Sequence, residues 1–251
     1  MSNGNQAFSV LGIPVHVMAN YPGWLLECLH TGKGTHVVTL NAEMIMQAER
    51  NHFLAEVIKN AELVIPDGAG VVLYLRWLLW QNVQRFPGIE LAEKLLQELG
   101  QQQTGAKIFF YGAAPGVASI AAAFWQQQIP DLSIVGTHSG YHSPEEEAQL
   151  QQTLAQLQPQ VIFVGLGVPR QELWIAENRH LCPQAIWIGV GGSFDIWSGT
   201  KTRAPAWLGN NNLEWLYRLY QEPWRWRRML ALPAFAVKAF VYRLTARGAI
   251  S

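Results

Sequence analysis

Short apolar runs alternate along this chain with segments whose apolar residues recur at helical spacing. The apolar runs cover residues 36–40, 63–66, 107–111, 133–136, 161–165 and 186–190. The helical segments lie between them, at 42–60, 89–102, 116–128, 144–156 and 171–180. Nearly continuous apolar runs are typical of strands buried on both faces of a sheet. The alternation therefore predicts an α/β fold in which helices cover a parallel sheet.

Local patterns predict two further features. Residues 8–18 form a candidate hairpin ahead of the first helix. Ser143, followed by a proline and three glutamates, is a strong helix start, because it offers a cap, an N1 proline and acidic side chains at the positive end of the helix dipole.

Composition and charge limit the partners. The 251 residues are 49% apolar and 14% charged, which excludes disordered and fibrous classes. The 18 basic and 18 acidic side chains cancel, so we expect no nucleic-acid partner. The distribution is uneven, since residues 200–251 hold nine basic and two acidic side chains. The sequence predicts a core over 1–199 and a cationic appendage over 200–251 that faces an anionic partner.

Cysteine content and hydropathy bear on the compartment. The chain has two cysteines and no pattern of a signal peptide, so we expect a protein of the reducing cytoplasm. It also has no uninterrupted apolar stretch of 18 residues. Residues 229–242 are too short to cross a bilayer, but they could lie on one.

Glycines cluster where the predicted strands end. These ends lie at 39–41, 66–70, 111–116, 139–141, 165–167 and 189–193, and their candidate ligand-facing residues are Gly112, Tyr141, Gly165, Gly191 and Gly192. In open parallel sheets, ligands bind outside the carboxyl ends of the strands, and helix N-termini there favour phosphate. The pattern indicates a phosphate-containing ligand, such as a nucleotide. The alternative is that the glycines only form tight turns.

Asp67 is the candidate catalytic residue. It follows a strand and precedes Gly-Ala-Gly, which places a carboxylate on a sharp turn that opens a helix. Such a group can act as a general base, or as a helix cap. A third option is binding of a nicotinamide cofactor's ribose. However, Arg170 stands where the dinucleotide fingerprint needs glycine, and there is no Walker A motif.

Other chemistries receive little support. His138 and His142 have the spacing of a helical metal pair, but Gly140 lies between them and no third ligand has a matching position. We therefore expect no metal site. The two cysteines have no partner motif, and there is no nucleophile elbow of a serine hydrolase.

The appendage interleaves aromatic residues and arginines. Trp215, Arg218, Trp224, Arg225, Trp226, Arg227 and Arg228 belong to this segment. Pro223 separates two short helical stretches. Tryptophan favours a membrane interface and arginine binds phosphate, so this segment can hold the protein on an anionic membrane. A solvated helix face, or a surface for a second copy of the chain, is the alternative.

Several motifs together resemble the bacterial WecG/TagA/CpsF glycosyltransferases, also known as glycosyltransferase family 26. They are Thr39-Leu40-Asn41, Pro66-Asp67-Gly68-Ala69-Gly70, Arg85 with Gly88, Gly165-Leu166-Gly167-Val168-Pro169-Arg170-Gln171-Glu172, Gly189-Val190-Gly191-Gly192-Ser193-Phe194-Asp195, Arg203-Ala204-Pro205 and Leu213-Glu214-Trp215-Leu216-Tyr217-Arg218. They run in order from about residue 8 to residue 230. The chain departs from the family pattern at Pro87 and Glu90, near the donor site.

The resemblance implies a Rossmann-like core with a helical appendage. It implies a metal-independent, inverting enzyme without a cofactor, which transfers an N-acetylhexosamine, N-acetylmannosamine in the best-known members, from a UDP-sugar to an undecaprenyl-diphosphate-linked sugar in cell-surface polysaccharide synthesis. Such an enzyme is expected on the cytoplasmic face of the plasma membrane. Residues 73–81, with Trp77 and Trp80, are expected to form a helix partly exposed to the acceptor lipid or to a subunit partner.

The resemblance also assigns roles to residues. Asp67 is the general base, and Thr39, Asn41 and Gln171 position the substrates. Donor binding falls to Arg85, and contact with the diphosphate falls to Arg218, Arg225 and Arg228. The further candidate substrate-binding residues, at or after the strand ends, are Gly112, Tyr141, Gly165, Gly191, Gly192 and Asp195. Homo-oligomers, a nicotinamide-dependent enzyme and a non-catalytic nucleotide-sugar-binding module stay open at this point.

Overall fold

The structure, a computed structural model, describes residues 6–80, 82–210 and 213–247. Its strands are β1 (Gln6–Val10), β2 (Ile13–Val17), β3 (Thr35–Leu40), β4 (Leu63–Pro66), β5 (Ile108–Gly112), β6 (Ile134–His138), β7 (Val161–Gly165) and β8 (Ile186–Gly189). Its helices are α1 (Tyr21–Thr31), α2 (Ala42–Ala48), α3 (His52–Lys59), α4 (Ala69–Leu79), α5 (Gly88–Gln101), α6 (Val117–Gln128), α7 (Pro144–Leu157), α8 (Arg170–Asn178), α9 (Ser193–Trp197), α10 (Ala206–Asn210), α11 (Glu214–Gln221), α12 (Trp226–Met229) and α13 (Ala231–Arg247).

Six strands form one parallel sheet in the order β4-β3-β8-β7-β5-β6. This confirms the predicted parallel α/β core. The strands β1 and β2 pair antiparallel beside it, which confirms the predicted hairpin. Strand β4 lies at one edge of the sheet and β6 at the other, so the chain crosses most of the sheet between β4 and β5.

Helices cover both faces of the sheet, as the apolar strands require. Successive side chains of a strand point to opposite faces. Val37 of β3 accordingly packs in a cluster with α1, α5, α6 and α9. Its neighbour Val38 packs on the other face, where the hairpin, α2, α3, α4 and α13 lie. The helices α7 and α8 cover the same face farther along, around Tyr111 and Trp187.

The prediction of one helical segment at 42–60 was wrong, because this stretch forms two helices. Helix α2 ends at Ala48 and α3 begins at His52. The side chain of Asn51 starts the second helix by accepting a hydrogen bond from the Leu54 backbone N–H at 3.1 Å. Apolar spacing continues across the break, so the pattern alone gave no sign of it; a capping asparagine was the available signal.

The predicted start of α7 is confirmed. The Ser143 hydroxyl accepts from the Glu146 N–H, and the Glu146 carboxylate accepts from the Ser143 N–H at 2.7 Å. This reciprocal pair is a capping box. The preceding strand β6 continues to His138, two residues beyond its predicted end, so His138 lies at the strand end and His142 in the following loop.

The appendage folds back onto the core. Helix α13 packs against α2 and α4, and it buries Phe235 and Ala239 in the core cluster. Arg228 pairs with Glu43 of α2 at 3.1 Å, and Lys238 pairs with Glu49. The division at residues 199 and 200 stays a prediction. Across the three described ranges, every helix is too short or too polar to pass through a bilayer.

The hairpin contains a pH-sensitive contact. Burial lowers the pKa of His16 below its ordinary value of 6.5, and the Nδ1 atom accepts a hydrogen bond from the Val64 N–H at 2.9 Å. Only the neutral ring can accept there. The unfolded chain binds a proton near pH 6.5 and the native chain binds it at lower pH, so this contribution to stability is complete above pH 6.5 and is lost as the pH falls through the native pKa.

We expect the free energy of unfolding to fall between pH 7.5 and pH 5, and His16→Asn to weaken that dependence. Asparagine keeps an acceptor for the Val64 N–H and removes the titration. Urea denaturation across this pH range measures the effect, with exposed His30→Asn as the matched control. An unchanged pH dependence in His16→Asn would assign the acid sensitivity to other groups.

Candidate active site

The carboxyl ends of β3 to β8 meet at one edge of the sheet, which we call the carboxyl edge. The residues that follow these strands are Asn41, Asp67, Ala113, Ser139, Leu166 and Val190. The sequence pattern predicted that these strand ends meet at one edge. The structure confirms this, because all six strands are parallel. In open α/β sheets this edge is where ligands bind.

Asp67 lies directly after the edge strand β4. Its N–H and that of Gly68 both donate to the Leu40 carbonyl, at 3.0 and 3.1 Å. The turn also packs closely on the next strand end, since a Cβ atom on Gly68 would lie 2.7 Å from the Cβ atom of Asn41. The glycine therefore allows the close approach that puts Asp67 beside Asn41.

Arg85 holds the Asp67 segment from the other side. Its Nε atom donates to the Asp67 backbone carbonyl at 2.7 Å, and its Nη2 atom lies 3.7 Å from Oδ1 of the carboxylate. Both side chains are largely buried, with 16% and 23% exposed. The guanidinium therefore holds a positive charge beside the carboxylate. Arg85 thus contacts the candidate base itself.

Thr39 and Asn41 lie beside this pair, on β3 and at its end. The buried Thr39 hydroxyl is 3.4 Å from the Gly189 carbonyl. A Cβ atom on Gly88 would lie 2.8 Å from the Thr39 methyl group, so α5 begins directly against this side chain. Asn41 caps α2, where its side-chain oxygen accepts from the Met44 N–H at 2.9 Å. The amide nitrogen of Asn41 is the group it can offer to a ligand.

Gln171 joins two loops of the carboxyl edge. Its side chain is 2% exposed, and its Oε1 atom accepts from the N–H groups of Gly167 and Gly191, both at 3.1 Å. One loop follows β7 and the other follows β8. The structure therefore places Gln171 beneath the loops, where it fixes their relative position. Its contact with substrate stays a prediction.

A buried pair supports Gln171, and sequence reasoning missed its role. The Glu172 carboxylate is fully buried and accepts from the Gln171 amide at 2.9 Å. Its other oxygen lies 2.7 Å from Nε2 of His36 on β3, which is 1% exposed. An available signal was a histidine inside an apolar strand, since a buried polar group needs a partner.

The predicted substrate-binding glycines differ in their surroundings. A Cβ atom on Gly112 would lie 2.5 Å from the Gly165 carbonyl, and one on Gly165 would lie 2.7 Å from the Phe194 ring. These two glycines serve close packing between strand ends. Gly191 instead has a φ of +52°, and no described atom lies within 4 Å of its Cβ position. Gly191 therefore leaves open space at the carboxyl edge.

Two other predicted ligand residues have protein partners or lie at the surface. The Asp195 carboxylate, on α9, is 3.3 Å from Lys201 Nζ. Gly192 lies three residues before Asp195, and a Cβ atom on this glycine would lie 3.5 Å from Asp195 Oδ2. Tyr141 is 69% exposed after β6, at the rim of a cavity of about 360 Å³.

The two histidines considered as a metal pair have other contacts. His142 Nε2 lies within hydrogen-bond distance of the Tyr111 hydroxyl, at 2.8 Å. Burial raises the pKa of Tyr111 to about 12, so this phenol stays protonated. His138 donates from Nδ1 to the Ser139 carbonyl at 2.9 Å. The residues that the structure describes contain no group of three His, Cys, Asp or Glu side chains that could hold a metal ion.

The predicted diphosphate-binding arginines lie in the appendage. Arg218 is in α11, and Arg228 is in α12, where it pairs with Glu43 next to the Asn41 cap. Arg225 lies in the 3-10 turn Pro223–Arg225, and its side chain is outside the described part of the structure. The Arg228 pair brings this end of the appendage to the start of α2, two residues from Asn41.

Comparison with known proteins gives a consistent result. The model of the glycosyl transferase WecG/TagA/CpsF family matches residues 8–249. Two similar proteins are both named N-acetylglucosaminyldiphosphoundecaprenol N-acetyl-beta-D-mannosaminyltransferase. The one from Bacillus spizizenii (strain ATCC 23059 / NRRL B-14472 / W23) is 37% identical over 207 residues, which are 82% of this chain and 79% of the relative. The one from Bacillus subtilis (strain 168) is 35% identical over 204 residues, or 81% and 78%.

The fold and the carboxyl edge define an α/β protein with a carboxylate at the edge where open parallel sheets bind their ligands. The chain belongs to the glycosyl transferase WecG/TagA/CpsF family. This confirms the predicted family and the predicted class, glycosyltransferase. It also sets aside the nicotinamide-dependent enzyme and the non-catalytic module.

We expect Gln171→Leu to lower the free energy of unfolding by about 2–5 kcal/mol, because it leaves two N–H groups and the buried Glu172 carboxylate without their partner. The affinity for a ligand of the glycine loops should fall as well. Urea denaturation and calorimetric titration with UDP measure the two effects. Exposed Gln149→Leu is the control and should change stability by less than about 0.5 kcal/mol. Stability equal to the wild type would show that the loops do not depend on this side chain.

Proposed function

We propose that this enzyme transfers N-acetylmannosamine from UDP-N-acetylmannosamine to N-acetylglucosamine linked to undecaprenyl diphosphate. The names of the two Bacillus relatives support the acceptor and the transferred sugar. The observation that carries the mechanism is the Asp67 carboxylate, held at the carboxyl edge by Arg85.

In the proposed reaction, Asp67 takes the proton from the acceptor hydroxyl. The hydroxyl oxygen forms a bond to the anomeric carbon of the donor sugar while the bond from that carbon to the UDP oxygen breaks. Attack from the side opposite the leaving group inverts the anomeric configuration. Thr39 and Asn41 stand next to Asp67 and would orient the two sugars.

The leaving diphosphate gains negative charge as the bond breaks, and fixed positive charge stabilises it. We assign this role to Arg218, Arg225 and Arg228. On the nucleotide side we add backbone N–H groups of residues next to Gly167 and Gly191, because the N–H groups of these two glycines donate to Gln171. Arginines match phosphate oxygens with paired hydrogen bonds. This assignment needs no metal ion, so transfer should proceed in the presence of a chelator.

The acceptor lipid sets the location. A lipid-linked diphosphate is held at a membrane surface, so we place the enzyme as a peripheral protein on the inner face of the plasma membrane. The appendage provides the cationic and aromatic side chains for this contact, and the pathway is synthesis of a cell-surface polysaccharide.

Asp67→Asn should reduce kcat by a factor of about 10² to 10⁴, because the amide cannot accept the proton. The affinity for UDP should change by less than about threefold, since Asp67 faces the acceptor. The assay uses UDP-N-acetylmannosamine and a short-chain lipid diphosphate acceptor in EDTA, with calorimetry for UDP. Exposed Asp131→Asn is the control. Full activity of Asp67→Asn would remove this carboxylate from the mechanism.

Arg218→Gln and Arg228→Gln should each weaken the use of the diphosphate substrates about tenfold or more, the value of one lost charge-assisted hydrogen bond. The measured quantity is kcat/KM for the donor and for the acceptor. Arg50→Gln, an exposed arginine outside the appendage, is the matched control. If the variants equal the control, the appendage arginines do not contact diphosphate.

A further inference from the structure

Helix α13 is apolar on two opposite sides. One side buries Phe235 and Ala239 against the core. The other side presents Val237, Phe240 and Leu244, spaced i, i+3 and i+7, with 65%, 55% and 58% of each residue exposed. An apolar stripe of this kind on a surface marks a contact with a partner or a membrane.

Helix α4 of the core has an exposed apolar stripe as well. Leu73, Trp77 and Trp80 follow one another at i, i+4 and i+7, and Trp80 is 77% exposed at the C-terminal cap. This spacing puts all three on one side of the helix. The opposite side, with Val71 and Leu75, is buried in the core.

Aromatic contacts join the two stripes. The rings of Trp77 and Phe240 stack with their centroids 6.1 Å apart and their planes 3° from parallel. The Arg243 guanidinium lies 4.0 Å from the centroid of Trp77 and 5.9 Å from that of Trp80, and it donates to the Trp77 carbonyl. The two helices therefore form one surface, the α4–α13 face, made of Leu73, Trp77, Trp80, Val237, Phe240 and Leu244.

The charge around the α4–α13 face indicates what covers it. Residues 223–247 contain six basic side chains and no acidic one, and residues 69–80 contain one arginine and no acidic residue. Arg228 and Lys238 pair with Glu43 and Glu49 of α2, and the remaining basic side chains leave the region positively charged. Two copies of the chain that met through this face about a twofold axis would bring like charges together. An anionic surface attracts the same charges. Tryptophan and arginine beside aliphatic side chains are the composition that suits the boundary between lipid headgroups and acyl chains.

We propose that the α4–α13 face enters the interfacial region of an anionic lipid bilayer, so that a helix of the catalytic core contacts the membrane together with the appendage. This inference rests on the proposed function only in that a lipid-linked acceptor makes a bilayer the expected partner. Helix α4 begins two residues after Asp67. The candidate base thus precedes the first turn of α4, and Trp80 lies at the other end of the same helix. In the proposed arrangement, α4 sets the distance between Asp67 and the bilayer surface.

Trp80→Asn tests the contact on the core side. Trp80 has a positive φ of 54°, a conformation that asparagine accepts, so the variant should fold. We expect at least a fivefold loss of binding to vesicles of phosphatidylglycerol and phosphatidylethanolamine, measured by sedimentation without donor or acceptor. Ile120→Asn, 53% exposed on α6 across the sheet, is the control and should bind like the wild type. Transfer to a short-chain soluble acceptor should be unchanged in both variants.

Vesicle binding equal to the wild type in Trp80→Asn would overturn the proposal. A lower oligomeric mass in sedimentation velocity, together with unchanged vesicle binding, would overturn it in favour of an interface between copies. The proposed function fails by a different result, absence of transfer to the soluble acceptor by the wild-type enzyme, which these binding measurements do not involve.

A labelling experiment tests whether position 80 enters the bilayer, and it leaves the other residues of the α4–α13 face unchanged. The two native cysteines are buried, so a fluorophore sensitive to polarity can be attached at Trp80→Cys in the full-length protein. Its emission should shift to the blue on addition of the anionic vesicles, whereas a label at Ile120→Cys should not respond. Equal responses at the two positions would contradict insertion of the α4–α13 face.

Discussion

The buried carboxylate of Glu172 constrains much of the site, because a group of this kind without exposed surface needs hydrogen-bonding partners. Its two oxygens are met by the His36 ring and the Gln171 amide. Once the Gln171 amide nitrogen points to Glu172, its oxygen points the other way, toward the N–H groups of Gly167 and Gly191. The position of two loops at the carboxyl edge thus depends on a pair inside the protein. Gly189 leaves the room for this, since a Cβ atom there would lie 2.5 Å from the Gln171 nitrogen.

The candidate base is held by a different set of contacts. Asp67 follows the edge strand β4, and its turn is fixed by the Leu40 carbonyl, by Arg85 and by the close approach of Gly68 to Asn41. The Gln171 network sets the loops after β7 and β8, on the far side of β3. The contacts that hold the two halves of the site thus come from different elements, and Thr39 of β3 lies between them, with its hydroxyl 3.4 Å from the Gly189 carbonyl.

Periodicity predicted the sheet because burial on both faces leaves a clear apolar signature, and a local pattern around residues 8–18 predicted the hairpin. It did not predict the break at Asn51, where a local cap competes with continuing helical spacing. The residues at strand ends were predicted as one group, and parallel strands do bring them to one edge. Their individual roles depend on where side chains point. Gly112 packs on Gly165, Gly191 faces open space, and Arg228 pairs with Glu43. None of these surroundings follows from the order of residues along the chain. The family resemblance supplied roles, but not the Arg85 contact to Asp67.

Phe235 of α13 lies against Gly70, with a Cβ atom on that glycine only 3.4 Å from the ring, so the last helix covers the first turn of the helix that follows Asp67. Helix α13 follows every strand of the sheet along the chain. It can therefore cover the core surface around Val71 and Tyr74 only after the core segments have been synthesised. The support for the turn that carries the candidate base and the formation of the α4–α13 face thus arise in one docking event.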